Sequence, residues 1–99
     1  MSKREIVVSE KAPKAIGPYS QGIRTECFIF SAGQLGLSPT TGELAEGGVQ
    51  AETRQALQNL HNVLAAAGSG MERRAMLVLT TESPVAVTLS VALLPTRFV

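Results

Sequence analysis

The sequence predicts an α+β fold in which one long helix packs on a mixed or antiparallel sheet. Apolar residues recur at three- and four-residue steps between Val49 and Ala67, which is the spacing of one face of an α-helix. Segments rich in β-branched and aromatic residues, typical of strands, lie before and after this region. A helix with a single apolar face buries that face most simply against a sheet.

Three strands are predicted ahead of the helix. Arg4–Val8 is rich in β-branched residues, Tyr19–Arg24 could form a short strand, and Cys27–Ala32 (CFIFSA) combines aromatic and β-branched residues. The polar pair Thr25-Glu26 between the last two segments indicates a hairpin. The segment Ala12–Pro18 contains two prolines and a glycine, which exclude regular structure and fix an extended or turning path.

Residues 33–48 are predicted to form a loop that leads into the helix, which covers residues 49–67. Glu52 lies in its first turn, where the helix dipole favours an acidic side chain, and Gly68 suits the position just after its end. The predicted apolar stripe consists of Val49, Thr53, Ala56, Leu57, Leu60, Val63, Leu64 and Ala67. The residues assigned to the remaining, polar surface are Gln50, Glu52, Arg54, Gln55, Gln58, Asn59 and His61.

Two further strands are predicted after the helix. Ala75–Thr81 has the composition of a buried strand, Pro84 breaks it, and Val85–Leu94 forms a second, almost wholly apolar strand. The latter segment is too short to span a bilayer, and Met1–Glu10 lacks the apolar core of a signal peptide. We therefore expect a cytoplasmic protein with no membrane partner.

Composition excludes several classes of function. The chain has 99 residues and a net charge of +1, so it lacks the excess of basic residues on which nucleic-acid binding depends. One Cys cannot form an internal disulfide or a cysteine-rich zinc site. One His and no Asp exclude most metal sites and a Ser-His-Asp triad.

Two short segments contain the candidate binding residues. Tyr19, the only tyrosine, follows a Gly-Pro pair, and its hydroxyl could orient a small ligand or stand in water above an apolar edge. Ser31-Ala32-Gly33-Gln34 ends a predicted strand, where backbone N–H groups beside a glycine can approach a carboxylate. From spacing alone, the simpler interpretation is that Gly33 permits a turn. Cys27 and His61 are better explained as a buried small apolar residue and a solvated helix residue.

Several motifs in order resemble a known family. Lys11–Gln21 (KAPKAIGPYSQ) and Phe30–Gly36 (FSAGQLG) resemble the first two sequence blocks of the reactive intermediate deaminase A family, also called RidA, YjgF or L-PSP. Shorter matches follow in the family's order. They are Pro39–Glu43, Gly47–Val49, Gln55–Leu60 and Ala65–Gly68. The chain is therefore identified as a member of this family from about Ile6 to Glu72.

The resemblance implies a chorismate-mutase-like fold, with a mixed sheet backed by the helix over residues 49–67, and assembly as a homotrimer. It implies hydrolysis of small 2-imino acids to 2-oxo acids and ammonia, without a metal or organic cofactor. The substrate would be bound in part by Tyr19 and by the second block. The substrate-binding residues that it implies are Tyr19, Ser31, Ala32, Gly33 and Gln34, where Ala32 replaces the serine that commonly precedes the glycine.

The resemblance weakens from Arg73 onward. The resemblance implies a second helix, a substrate-binding Arg and a Glu that positions water. None of the three has a counterpart in residues 73–99, so the catalytic residues are not assigned. We expect residues 1–99 to form a single domain, with residues 1–72 similar to the family and residues 73–99 divergent. An internally deleted or spliced member, an out-of-frame tail and a genuinely divergent form all fit this pattern. A non-catalytic ligand- or RNA-binding module and an inactive truncated chain are the alternative functions.

Overall fold

The computed structural model of the chain describes residues 4–15, 17–25, 28–69, 75–80 and 86–93. One helix and six strands occur in these ranges, with the helix between the fourth and fifth strands. They are β1 (Glu5–Val7), β2 (Gly22–Arg24), β3 (Phe28–Ser31), β4 (Gln34–Leu35), α1 (Val49–Ala66), β5 (Ala75–Thr80) and β6 (Ala86–Leu93). The predicted α+β class and element order are confirmed, apart from β4, which lies in the segment predicted to be a loop. Cys27 and residues 73–74, 81–85 and 94–99 lie outside the described residues.

The six strands form one sheet in which β6 has three neighbours. The strand order is β1-β2-β3-β6-β4, and β5 pairs with the other edge of β6. Every pairing among the described strands is antiparallel, so the sheet is the antiparallel one of the two types that the sequence left open. The predicted hairpin is confirmed as β2–β3, although β2 begins only at Gly22 and not at Tyr19.

The strands β3 and β4 follow one path along β6. Ile29 pairs with Ala92 and Gln34 pairs with Val87, so four residues separate the paired positions on each side and the register is unchanged. The path is interrupted between them, where Gly33 has a φ of 101°. A glycine adopts this conformation without the steric cost that other residues incur. The break explains why the sequence pattern predicts a strand that ends at Ala32.

One face of the sheet packs on α1 and forms the core. Val7 of β1 and Ile29 of β3 are buried together with the helix residues Ala56, Leu60 and Val63. Alternate residues of the same strands point to the opposite face, because successive side chains in a strand alternate. Five of the eight residues of the predicted helical stripe are buried, Thr53 and Leu57 are half-buried, and Val49 at the start of α1 is 47% exposed.

The helix α1 ends as predicted. Gly68 has a φ of 92°, its N–H donates to the carbonyl oxygen of Ala65, and the N–H of Ser69 donates to the carbonyl oxygen of Leu64. These two bonds define a Schellman motif with Gly68 at the position after the cap. The Arg24 guanidinium, on the neighbouring strand β2, donates to the carbonyl oxygen of Ala67 at 3.2 Å. The end of the helix is thereby attached to the sheet.

The prediction that all polar residues of α1 lie on the surface was wrong for two of them. Glu52 is 6% exposed and Asn59 is fully buried. Both lie on the margin of the apolar stripe, three or four residues from Ala56, and the helix therefore turns them toward the sheet. Their spacing was the signal that could have identified them.

Candidate functional site

The candidate site begins at the break between β3 and β4. Ser31 ends β3 and is half-buried, Ala32 is exposed, Gly33 is half-buried, and Gln34 opens β4 as a buried side chain. The Gly33 N–H donates to the Ser31 hydroxyl oxygen at 2.9 Å. This local bond gives the Gly33 N–H a partner within the turn itself.

Tyr19 lies in a tight turn of its own. Its N–H donates to the carbonyl oxygen of Gly17 at 2.9 Å, across Pro18. Gly17 has a φ of 115°, and Pro18 fixes its own φ, so both residues favour this turn. The Tyr19 side chain is half exposed, which leaves its ring within reach of a ligand in solvent.

A hydrogen bond brings these two segments together. The Ala32 N–H donates to the carbonyl oxygen of Gln21 at 3.1 Å, just beyond the last paired residues of the β2–β3 hairpin, Gly22 and Ser31. Tyr19 lies two residues before Gln21, and Gly33 directly follows Ala32. The two segments that the sequence analysis selected separately therefore meet at the same end of the hairpin.

The backbone donors at this place are already used within the chain. The N–H groups of Ala32 and Gly33 donate to Gln21 and Ser31, so neither is a free donor. The interpretation in which these backbone groups bind a ligand carboxylate requires such free donors. The turn interpretation of Gly33 agrees with its positive φ. The Ser31 hydroxyl accepts the Gly33 bond through its oxygen and retains its own hydrogen for donation.

The helix α1 contacts the segment that follows Gln34 through a buried amide. The buried Asn59 amide donates to the carbonyl oxygens of Leu35 at 2.9 Å and Leu37 at 2.8 Å, and its own oxygen accepts from the Gln55 amide at 2.9 Å. Between those two carbonyls, a Cβ on Gly36 would lie 2.8 Å from the backbone Cα of Glu52. The segment after Gln34 therefore lies directly on the helix backbone, at a distance that only glycine permits.

Two other kinds of site receive no support within the described ranges. Residues 4–15, 17–25, 28–69, 75–80 and 86–93 contain no group of three His, Cys, Asp or Glu side chains that could hold a metal ion. No helix formed by this part of the chain combines the length and apolarity needed to cross a membrane.

The fold and the two joined segments place the chain among small α+β proteins that have an antiparallel sheet, with a candidate binding site at a strand break. The YjgF gene product of E. coli has the same fold: its structure matches 90% of this chain and 98% of its own at a TM-score of 0.79 and 22% identity. The family model Endoribonuclease L-PSP matches residues 9–91, and the chain belongs to this family.

Curated relatives agree with the family. The chain is 48% identical over 65 residues to a RutC family protein of Pyrococcus horikoshii, covering 66% of this chain and 52% of the relative. It is 49% identical over 65 residues to the 2-iminobutanoate/2-iminopropanoate deaminase of Mus musculus, covering 66% of this chain and 48% of the relative. The chain thus spans about half the length of the relatives that it matches.

Proposed function

We propose that the chain binds small 2-imino acids between Tyr19 and residues 31–34 and hydrolyses them to 2-oxo acids and ammonia. The observation that carries this proposal is the bond from the Ala32 N–H to the Gln21 carbonyl oxygen, which joins the two family segments. Both segments lie within the family match over residues 9–91. The name of the mouse relative supplies the substrate class.

The reaction adds water across a carbon–nitrogen double bond. The water oxygen bonds to C2 of the imino acid and the two water hydrogens pass to the nitrogen. The C2–N bond then breaks, ammonia leaves, and the oxygen remains on C2 as the carbonyl of the 2-oxo acid, so no electrons are exchanged with a cofactor. In the proposed pocket the Tyr19 hydroxyl orients the substrate, and the hydrogen of the Ser31 hydroxyl bonds one of its acceptor oxygens. Ser31 lies one position before the place where the family commonly has its serine, which is Ala32 in this chain.

The rate should be lower than that of a family member that carries both the substrate-binding Arg and the Glu that positions water. A bidentate Arg fixes a carboxylate strongly, and a carboxylate near the attacking water acts as a general base. The sequence contains no counterpart of that Arg or Glu in residues 73–99. General acid–base catalysis typically contributes a factor of about 10²–10⁴, which sets the expected size of the deficit.

The test couples an amino-acid dehydratase, which releases 2-iminopropanoate, to trapping of the imine by semicarbazide. We expect this chain to lower the yield of semicarbazone measurably but far less than the mouse deaminase does at equal concentration. Tyr19→Phe should remove most of the remaining effect, and Leu44→Ala, at an exposed apolar residue outside the site, should not. No effect of the native chain would overturn the proposed activity, and a rate equal to the mouse enzyme would overturn the predicted deficit.

We also propose that the chain acts as a homotrimer in the cytoplasm. The observation that supports the trimer is the apolar sheet face opposite α1, on which Ile6 is 66%, Phe28 41% and Phe30 42% exposed. A face of this kind on a small protein usually indicates an interface.

Single-stranded RNA is the ligand that competes with imino acids in the alternative function, and the net charge of +1 disfavours its binding. A gel shift with single-stranded RNA that weakens as salt rises would favour RNA binding over imine hydrolysis.

A further inference from the structure

The side chain of Gln21 uses all of its polar atoms in hydrogen bonds beside the candidate site. It is 4% exposed. Its oxygen accepts from the Ser9 N–H at 2.6 Å, and its amide nitrogen donates to the carbonyl oxygens of Ser9 at 3.2 Å and Pro13 at 2.7 Å. A glutamine amide has two N–H donors, and both are therefore used. No pattern in the sequence had assigned this residue to the site.

These bonds attach the segment that precedes Tyr19. Residues 9–13 lie outside regular structure and carry the chain toward the Gly17–Tyr19 turn. On the other side, the Asn62 amide of α1 donates to the carbonyl oxygen of Lys11 at 2.8 Å. The segment is thus held by one amide from the residue before β2 and one from the helix, while Lys11 and Lys14 remain exposed on it.

The main chain of Gln21 makes the second connection. Its carbonyl oxygen accepts the Ala32 N–H, so one residue contacts both the segment leading to Tyr19 and the break at residues 31–34. We propose that Gln21 is a positioning residue that holds Tyr19 and the residue 31–34 turn in a fixed relation. The nature of the ligand rests on the proposed function, whereas the fixed relation does not depend on it.

Tyr19 provides a direct readout of this positioning. The chain contains one tyrosine and no tryptophan, so its intrinsic fluorescence reports on Tyr19 alone. Gln21→Ala removes three side-chain bonds but leaves the backbone bond to Ala32. We expect acrylamide quenching of Tyr19 to rise about twofold and tryptic cleavage after Lys11 and Lys14 to become about tenfold faster, since local opening exposes these bonds.

Gln50→Ala is the matched control. Gln50 is exposed in the first turn of α1 and is not one of the residues that hold the segment over residues 9–13, so its loss should change neither quenching nor cleavage. Both variants are first shown to keep the far-ultraviolet circular dichroism of the native chain. A folded Gln21→Ala variant with the quenching and cleavage of Gln50→Ala would overturn the proposal.

Gln21→Glu supplies a second test that does not depend on the folding of the alanine variant. An ionised carboxylate keeps the acceptor for Ser9 but has no donor for Pro13, whereas the protonated acid regains one donor. Tyr19 quenching in this variant should therefore be high at pH 8 and fall toward the native value as the pH is lowered through the titration of the carboxyl group. If the Tyr19 quenching of Gln21→Glu changed with pH no more than that of the native chain, the proposal would be contradicted.

A ligand titration separates this inference from the proposed function. Pyruvate, the product of 2-iminopropanoate hydrolysis, is titrated against the native chain and Gln21→Ala. We expect the dissociation constant to rise at least about tenfold in the variant, because Tyr19 and residues 31–34 are no longer held in a fixed relation before the ligand binds. If the native chain binds no pyruvate and clears no imine, the proposed function fails, and the quenching and cleavage results still decide the role of Gln21.

Discussion

Asn59 shows how a single buried amide can connect a helix to a sheet. Its two N–H groups satisfy the carbonyl oxygens of Leu35 and Leu37, and it is fully buried. Asn59→Ala would leave both carbonyls without these donors. Since a buried group that loses its partner costs about 1–3 kcal/mol, we expect the free energy of unfolding to fall by about 2–3 kcal/mol in urea titrations.

A matched variant separates this effect from a general loss of an amide. Gln58→Ala removes an exposed amide on the same helix, and surface substitutions of this kind usually change stability by less than about 0.5 kcal/mol. Equal losses in the two variants would show that the bonds to Leu35 and Leu37 contribute nothing beyond an ordinary surface contact.

At the scale of elements, β4 and α1 meet through Gly36. A Cβ at this position would overlap the Glu52 backbone, including its carbonyl oxygen, and backbone atoms cannot rotate away as a flexible side chain can. We expect Gly36→Ala to lower the free energy of unfolding by about 3 kcal/mol, at the upper end of overpacking costs, and to displace the Gln34–Leu37 segment from the helix. Urea unfolding measures the first effect, and hydrogen exchange of residues 34–37 measures the second.

Gly42→Ala is the control for this substitution. Gly42 has a φ of 77° and open space around its Cβ position, so alanine there experiences backbone strain of about 1–2 kcal/mol and no overlap. A loss in Gly36→Ala no larger than that in Gly42→Ala, with unchanged exchange of residues 34–37, would contradict the close contact with α1.

The elements that the sequence predicted well are those with a long local pattern. The helix was predicted within one residue of its end, and its Gly68 terminus was predicted from residue type alone. The strand β4 was missed because it has two residues and pairs with β6, about fifty positions along the chain. A two-residue segment such as Gln34-Leu35 has no local pattern that predicts pairing with a strand so distant in sequence.

The site was predictable in part for the same reason. Tyr19 and Gly33 lie in motifs that resemble the family, and both were selected. Gln21 and Asn59 were not assigned to it, because their contacts join residues 8 to 24 positions apart in sequence. A buried amide has no sequence signature of its own, except where helical spacing places it on an apolar stripe, as it does for Asn59.

For the whole molecule, the outer sheet face is the candidate interface of the proposed trimer. Ile6, Ile23 and Phe30 stand opposite one another on β1, β2 and β3, and therefore share a face. Phe28 lies two residues from Phe30 on the same face, and their ring centroids are 6.2 Å apart. Val7 and Ile29, which alternate with these residues, are buried against α1. The outer row is thus a continuous apolar surface and not a set of scattered side chains.

This surface predicts assembly into an oligomer and its response to charge. We expect light scattering after size-exclusion chromatography to give three times the monomer mass of 10.4 kDa, because neighbouring copies would cover this surface and the family resemblance implies a trimer. Ile6→Glu combined with Phe30→Glu should give monomers, since burying two unpaired carboxylates opposes assembly. Leu44→Glu, at a residue 39% exposed that lies outside these strands, should leave the trimer intact. A native monomer that stays soluble, or a double variant that still forms trimers, would show that this face is not the interface.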